Sequence, residues 1–365
     1  MPSKSRPEVA LVHDYLTQRG GAERVVLDLA AAFPGAPLFT SLFELTLTFP
    51  EFQQCAVTAS PLNHLSLLRH HHRLALPLYA PLFSTMKVDA DVTICSSSGW
   101  AHGVTATGAK IVYCHAPARW LYQRERYLAD AGLAQRASLA LLSPLLKRWD
   151  KKAAQSATSY VVNSTTTQHM VKEAYGIEAD IVHPPVSLAV SGDQRPVDGL
   201  EPGFLLVVAR LLAYKNVQLT IAAAATSGHR VVVVGDGPLR RQLEHEASPS
   251  VTFLGTVDDS TLRWCYANCA AHVAMSYEDY GLSPIEAAAF GKPTIALGAG
   301  GYLDTVISGE TGLHVAAPTV EALGDALSEF SHLKLSPSMI IAHARTFSKE
   351  NFIIAMQQKV AEVLA

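Results

Sequence analysis

The sequence predicts an α/β protein built from two doubly wound, mostly parallel sheets. Three observations carry this. Short, apolar, β-prone runs alternate with segments of helical periodicity along the chain. The alternation breaks over 191–203, SGDQRPVDGLEPG, which is rich in Gly, Pro and Asp, and then restarts. A length of 365 residues is enough for two units that each bury a core.

The elements follow in order. EVALVH (8–13) reads as a buried strand, and GGAERVVLDLAAAF (20–33) as the helix after it. VTIC (92–95), KIVYC (110–114) and SYVVN (159–163) are further strands. TTTQHMVKEAYG (165–176) is a helix with a glycine stop, and DIVHPPV (180–186) a strand ended by prolines. After the linker come the strand FLLVVAR (204–210) and the helix VQLTIAAAAT (217–226). RVVVVGDG (230–237) is a strand with a tight turn, and PLRRQLEHEA (238–247) a helix opened by proline. VTFLG (251–255), AHVAMS (271–276) and PTIAL (293–297) are strands; TLRWCYANCA (261–270) and SPIEAAAFG (283–291) are helices. SKENFIIAMQQKVAEVLA (348–365) closes the chain as an amphipathic helix. The expected domains are 1–192, 193–347 and the returning helix 348–365.

Bulk properties exclude several classes. Hydrophobic residues make up 49% and charged residues 17%, an ordinary globular balance. A net charge of −3 gives no basic field for nucleic acid. Cys55, Cys95, Cys114, Cys265 and Cys269 form no C-x-x-C pair and read as reduced core thiols. The N-terminal stretch MPSKSRPEVALVHDYL has no apolar leader core, and no run reaches the roughly 18 apolar residues of a membrane span. The expectation is a cytoplasmic protein, with peripheral contact at the inner face of a membrane through 62–83 as one reading. That segment, LNHLSLLRHHHRLALPLYAPLF, mixes leucines with a basic cluster. It reads either as a helix packed on the first domain or as a surface helix meeting lipid, and 145–154 adds four basic residues.

The chemistry-bearing residues of the second half fall at carboxyl ends of predicted strands, where open α/β sheets bind ligands. Arg210 and Lys215 lie in ARLLAYKN, after the first of these strands. They read as solvated surface charges or as phosphate ligands. GDGP (235–238) and GAGGY (298–302) offer turns where backbone can approach a ligand. In EDYGLSPIEAAAFGKP (278–293), Ser283, Pro284 and Glu286 fit a capping box, S-x-x-E. Glu286 is therefore a helix cap or a ligand group. Gly281 before this helix would leave N–H groups for an anion. Glu278 ends a buried strand with no local structural reason for a carboxylate.

These motifs together resemble the nucleotide-sugar-binding domain of the group 1 glycosyltransferases, glycosyltransferase family 4. The matching features are R-x4-K (Arg210, Lys215), V-x-G-D-G-P, F-L-G and the E-x7-E stretch. GG-x-x-[DE]-x-V-x-x-G-x-T-G, from Gly300 to Gly312, completes the set. The resemblance implies the GT-B fold, two Rossmann-like domains facing a cleft with the last helix crossing back to the first. It implies sugar transfer from a nucleotide donor with retention of configuration and no metal or other cofactor. By the same resemblance, Arg210 and Lys215 hold the donor diphosphate, Glu286 the ribose hydroxyls and Glu278 the donor sugar. Backbone N–H groups of Gly281, Leu282 and Ser283 meet sugar and phosphate oxygens.

In the first half, HDYLTQRGGAERV (13–25) places Gly20 and Gly21 between strand and helix. They make a tight turn, and in the resembled family such a loop meets the donor phosphates. There is no G-x-G-x-x-G, which counts against an NAD site. YCHAPARWLY (113–122) is similar to the C-H-T-P-M-R-Y-L-W-D stretch of a subset associated with mannose or deoxymannose transfer into bacterial surface polysaccharides. His115, Pro117 and Arg119 match; Ala116 and Ala118 replace Thr and Met, and Gln123 stands where Asp is usual. The implied roles are donor-sugar contact for His115 and acceptor contact for Arg119. Asp14 either orients acceptor hydroxyls or is a solvated loop carboxylate. The expected donor is a GDP-hexose, mannose or a deoxyhexose, and the acceptor a saccharide or lipid-linked sugar. The competing classes are a nucleotide-sugar epimerase of the same architecture and a non-enzymatic two-lobed sugar-binding protein.

Overall fold

The computed structural model describes residues 7–123 and 133–365. Residues 1–6 and 124–132 lie outside that range, and with them the first part of the N-terminal stretch MPSKSRPEVALVHDYL. The chain forms two compact units: Met1–Pro185 with Lys349–Ala365, and Val186–Ser348.

The first unit holds β1 (Val9–His13), β2 (Leu38–Thr40), β3 (Val57–Ala59), β4 (Lys87–Val88), β5 (Val92–Ser97), β6 (Thr105–Ala106), β7 (Ala109–Cys114), β8 (Ser159–Val162) and β9 (Asp180–Ile181). Seven of these form a parallel sheet in the order β3-β2-β1-β5-β7-β8-β9; β4 and β6 pair separately. The order reverses between β1 and β5, which marks the switch point where such sheets bind ligands. Every residue of β5 is buried, as expected of a strand covered by helices on both faces. The final helix, Lys349–Leu364, belongs to this unit. Phe352, Met356 and Val360 recur at helical spacing and are buried with Val25, Leu29 and Tyr113. Lys349 pairs with Asp28 at 2.9 Å and Lys359 with Asp180 at 3.0 Å, pinning both ends of the helix.

The second unit holds β10 (Leu205–Val208), β11 (Val231–Val234), β12 (Val251–Gly255), β13 (Ala271–Ala274), β14 (Thr294–Leu297) and β15 (Gly312–Val315). Its parallel sheet runs β12-β11-β10-β13-β14-β15, with the switch point between β10 and β13. The four valines of β11 are all buried.

Several expectations need correction. The strand expected over 180–186 ends at Ile181, because Pro184 and Pro185 have no N–H for the ladder. The chain changes unit after Pro185, not after residue 192. Val186 donates its N–H to the Phe347 carbonyl at 3.1 Å, and Leu188 is buried with Phe204 and Trp264. The linker of 191–203 is strapped onto the second unit: Arg195 pairs with Asp258 at 3.0 Å, and Arg263 reaches the Asp193 carbonyl at 2.9 Å. The segment 62–83 is no single helix. It runs as a 3-10 turn Pro61–His64, a helix Ser66–His70, a second turn His72–Ala75 and a helix Leu76–Thr85. Tyr79 and Phe83 enter the core, while Leu65, Leu67, Leu74 and Leu78 remain exposed. Among the described residues no helix is long and apolar enough to cross a membrane.

Candidate functional site

The candidate residues lie at the carboxyl ends of the two sheets, one group in each unit. In the second unit, the loop after β10 carries Arg210 and Lys215. Its last turn, Ala213–Lys215, ends on Asn216, which adopts a left-handed conformation (φ 53°). Asn216 donates from Nδ2 to the Met275 carbonyl at 2.9 Å. This bond ties the loop to the end of β13, and Lys215 lands beside Glu278, with Nζ to Oε1 at 2.6 Å. Both side chains are largely but not fully covered, 17% and 18% exposed, so the pair can still be reached by a ligand. Arg210 is exposed, and among the described residues its guanidinium has no ion pair. Sequence reasoning found the lysine and the glutamate but missed Asn216, whose signal is a lone Asn before a helix.

The helix after Glu278 spans Leu282–Ala289 and starts two residues earlier than the capping box requires. Gly281, not Ser283, stands at its N-cap, and no side chain caps it. Gly281 has φ 99°, and a Cβ there would sit 2.5 Å from the Tyr302 ring, so both backbone and space demand glycine. The capping role of Glu286 is thereby overturned. Glu286 accepts from the Ser187 hydroxyl at 2.7 Å and from the Tyr266 phenol at 2.9 Å. Neither partner was visible in the sequence, since Ser187 lies 99 positions away. Gly281 has no side chain to cap the N–H groups at Leu282 and Ser283, which form the positive end of the helix.

Two of the GAGGY glycines are required by the packing of the chain on itself. Cβ atoms at Gly300 and Gly301 would lie 2.3 Å from the Glu278 carbonyl and 2.2 Å from that of Tyr280. The loop thus packs its backbone on the 278–280 segment, and Gly301 N–H donates to the Glu278 carbonyl at 2.8 Å. The close approach is to the chain itself, and it sets where Glu278 stands. Tyr302 follows, with its phenol 2.8 Å from the Ser276 hydroxyl. Burial and the nearby Glu278 carboxylate push that phenol above its ordinary value.

In the first unit, His115 follows β7. Its Nε2 lies 2.8 Å from the Ser96 hydroxyl, and its carbonyl accepts from Asn163 Nδ2 at 2.9 Å. Burial, helped by the charges of His13 and Arg119, pushes the imidazole down to about 3. It is neutral at physiological pH and works as a hydrogen-bonding group, not a cation. Arg119 opens the short helix Arg119–Tyr122 and is exposed. Asp14 is neither solvated nor poised for an acceptor. It is 2% exposed, and its carboxylate accepts N–H groups of Ser98, Trp100 and Ala101 at 2.7, 3.3 and 2.6 Å. That geometry makes it an anchor for the loop after β5.

Gly20 stands at the N-cap of the helix Gly21–Ala32, with Gly21 exposed as its first residue. A Cβ on Gly20 would meet Glu23 Oε2 at 2.6 Å, so this glycine makes room for a buried carboxylate. Glu23 went unnoticed in the sequence. It is 1% exposed, accepts from Gln18 Nε2 at 2.9 Å, and lies 3.8 Å from His13 Nε2. Among the described residues no cluster of three His, Cys, Asp or Glu has the arrangement to hold a metal ion.

In the second unit, an ammonium at Lys215 and a helix start with no side-chain cap can hold an anion, and a carboxylate at Glu278 can accept from hydroxyls. Residues 193–347 match the family model for glycosyl transferases group 1. A D-rhamnosyltransferase, WbpZ, of Pseudomonas aeruginosa is 30% identical over 213 residues, covering 53% of this chain and 54% of that protein. A D-inositol 3-phosphate glycosyltransferase of Mycobacterium tuberculosis is 30% identical over 239 residues, 57% of this chain and 49% of that one. The chain spans about half the length of the curated relatives it matches. Solved structures cover nearly all of it. HepE of Anabaena in complex with UDP-glucose gives a TM-score of 0.72 at 18% identity, over 97% of this chain and 99% of that one. Sucrose-phosphate synthase of Thermosynechococcus elongatus gives 0.67 at 20% identity, over 98% and 99%. The fold is GT-B, with two Rossmann-like units.

Proposed function

We propose that the chain is a retaining, metal-independent glycosyltransferase that moves a hexose from a nucleotide diphosphate sugar to a saccharide or lipid-linked acceptor. The observation that carries this reading is the Lys215–Glu278 pair beside the uncapped start of the Leu282–Ala289 helix. An ammonium and free N–H groups suit a diphosphate, and a carboxylate suits sugar hydroxyls. The match of 193–347 to glycosyl transferases group 1 and the UDP-glucose bound by HepE support it.

On binding, the donor diphosphate takes Lys215 Nζ from Glu278, and Arg210 joins it from the same loop. Glu278 then accepts from the sugar hydroxyls. Glu286 receives the ribose diol beside or in place of Ser187 and Tyr266; a carboxylate offers about four acceptor sites. The two cations stabilise the charge that builds on the departing nucleotide diphosphate, work that a divalent ion does in other transferases. The acceptor hydroxyl attacks the anomeric carbon from the face the phosphate leaves. The bond from that carbon to the phosphate oxygen breaks, the glycosidic bond forms, and the acceptor proton passes to the leaving phosphate. In the first unit, the same reading makes His115, Gly20 and Gly21 donor contacts and Arg119 an acceptor contact. The first donor to try is GDP-mannose or a GDP-deoxyhexose. The D-rhamnosyltransferase relative supports a deoxyhexose, since D-rhamnose is 6-deoxymannose.

The test is sugar transfer from GDP-, UDP- and dTDP-sugars in the presence of EDTA, with the product's anomeric configuration read by NMR. Lys215→Ala should lower kcat by roughly 10²–10³ while leaving the fold intact. An inverted product, or transfer that disappears in EDTA, would contradict the reading.

A further inference from the structure

Ser96 lies between two histidines on neighbouring strands. It is the register partner of His13 across β1 and β5, and β7, which His115 follows, borders the other side of β5. It is 1% exposed, so its hydroxyl has no access to bulk water. His13 Nδ1 is 3.0 Å from the Ser96 carbonyl and 3.1 Å from its Oγ, and His115 Nε2 is 2.8 Å from the same Oγ.

Hydrogen counting fixes the directions. A carbonyl only accepts, so His13 Nδ1 carries a proton and donates it toward Ser96. The serine hydroxyl has one hydrogen and receives that donor on a lone pair. Among the described residues its own O–H then has one partner, His115 Nε2, which must be the bare, accepting nitrogen. The reverse arrangement would bury a serine O–H with nothing to bond, which is costly. A neutral His115 with bare Nε2 holds its proton on Nδ1, and among the described residues Nδ1 has no partner. Upstream, His13 is held above its ordinary value despite burial, because the Glu23 carboxylate, with Asp14 and the Ser96 carbonyl, favours its charged form. The hydrogen bonds therefore run one way, from His13 through Ser96 to His115, with Glu23 behind His13.

We propose that Ser96 is a positioning residue that fixes His115 in its Nδ1–H tautomer, so that the imidazole offers the bound sugar a hydrogen-bond donor and not a lone pair. The inference rests on the reading of His115 as a donor-sugar contact. It adds a residue that no motif marks: Ser96 lies in the run VTICSSS, and nothing there signals a role toward a histidine 19 positions on.

The experiment is long-range proton–nitrogen NMR on the full chain labelled at histidine nitrogens, at neutral pH. The His115 signals are assigned by their loss in His115→Gln. In the wild type, Nε2 should appear at the position of an unprotonated imidazole nitrogen and Nδ1 at that of a protonated one. Ser96→Ala should reverse or average the two, and lower kcat roughly tenfold or more with little change in KM, the scale of orienting contacts. Ser96→Thr, which keeps the hydroxyl, should restore both. A wild-type His115 protonated on Nε2 overturns the proposal whether or not the alanine variant folds. So does an alanine variant with an unchanged tautomer. The expected tautomer in a protein that binds no sugar nucleotide would overturn the glycosyltransferase reading instead.

Discussion

His272 shows what a single side chain costs this fold. It sits on β13, 1% exposed, and burial pushes its imidazole down to about 3 from the ordinary 6.5. It stays neutral in the folded chain but takes a proton once the chain unfolds. The stability that depends on it is present above 6.5 and is lost as pH falls from there toward about 3. Between pH 7 and pH 5 this residue alone should cost about 2 kcal/mol. His13 runs the other way: its raised value gives stability present below 6.5 and lost as pH rises through the folded value. Urea unfolding of wild type and His272→Asn across pH 7 to 5 separates the two. The variant should lose His272's share of the slope, and equal slopes in the two proteins would contradict this account. Legibility at this scale followed sequence distance. Lys215 and Glu278 could be singled out because each follows a strand. Asp14 and Ser96 could not be read correctly, because their partners lie on other elements and only the register of β1, β5 and β7 brings them together; Glu23 is buried against the nearby Gln18 and His13, contacts that no sequence pattern marks.

At the scale of elements, the loop from β10 to the Val217–Ser227 helix is the part most exposed to a local change. Asn216 combines a left-handed backbone with a side-chain bond to the Met275 carbonyl. Asn216→Ala loses both fitness for that conformation and the bond, and should destabilise the chain by about 1–3 kcal/mol. Asn216→Gly keeps the conformation and loses only the bond, so it should cost less. Chemical denaturation of the two variants checks the order; a glycine variant less stable than the alanine one would place the cost elsewhere. Most strands and long helices were legible because apolar periodicity extends over four or more residues. The strands β2 and β3, three residues each, fall below that length. The helices Val320–His332 and Pro337–Thr346 have no counterpart among the elements expected from sequence. The capping box failed for a physical reason. Gly281 can adopt φ 99°, so the helix starts at Leu282, ahead of the serine that sequence pattern favours.

At the scale of the whole molecule, the described residues form two large sheets, each with a switch point and a set of polar groups at its carboxyl ends, and a last helix that belongs to the first unit. That plan was legible from the restart of strand–helix alternation after residue 203. The position of the crossing was not, because Val186 and Leu188 reveal their unit only through packing. The central claim is that the second unit holds a nucleotide sugar and that Glu286 is part of that grip. The direct measurement is thermal unfolding with GDP, UDP, ADP and dTDP and their sugars, without metal, on wild type and Glu286→Ala. A ligand at one hundred times its dissociation constant adds about 2.7 kcal/mol of stability. Wild type should show a base-selective rise in Tm that Glu286→Ala loses. A panel flat in both proteins, with Glu286→Ala merely melting lower, would leave Glu286 as an anchor for Ser187 and Tyr266 and contradict the claim.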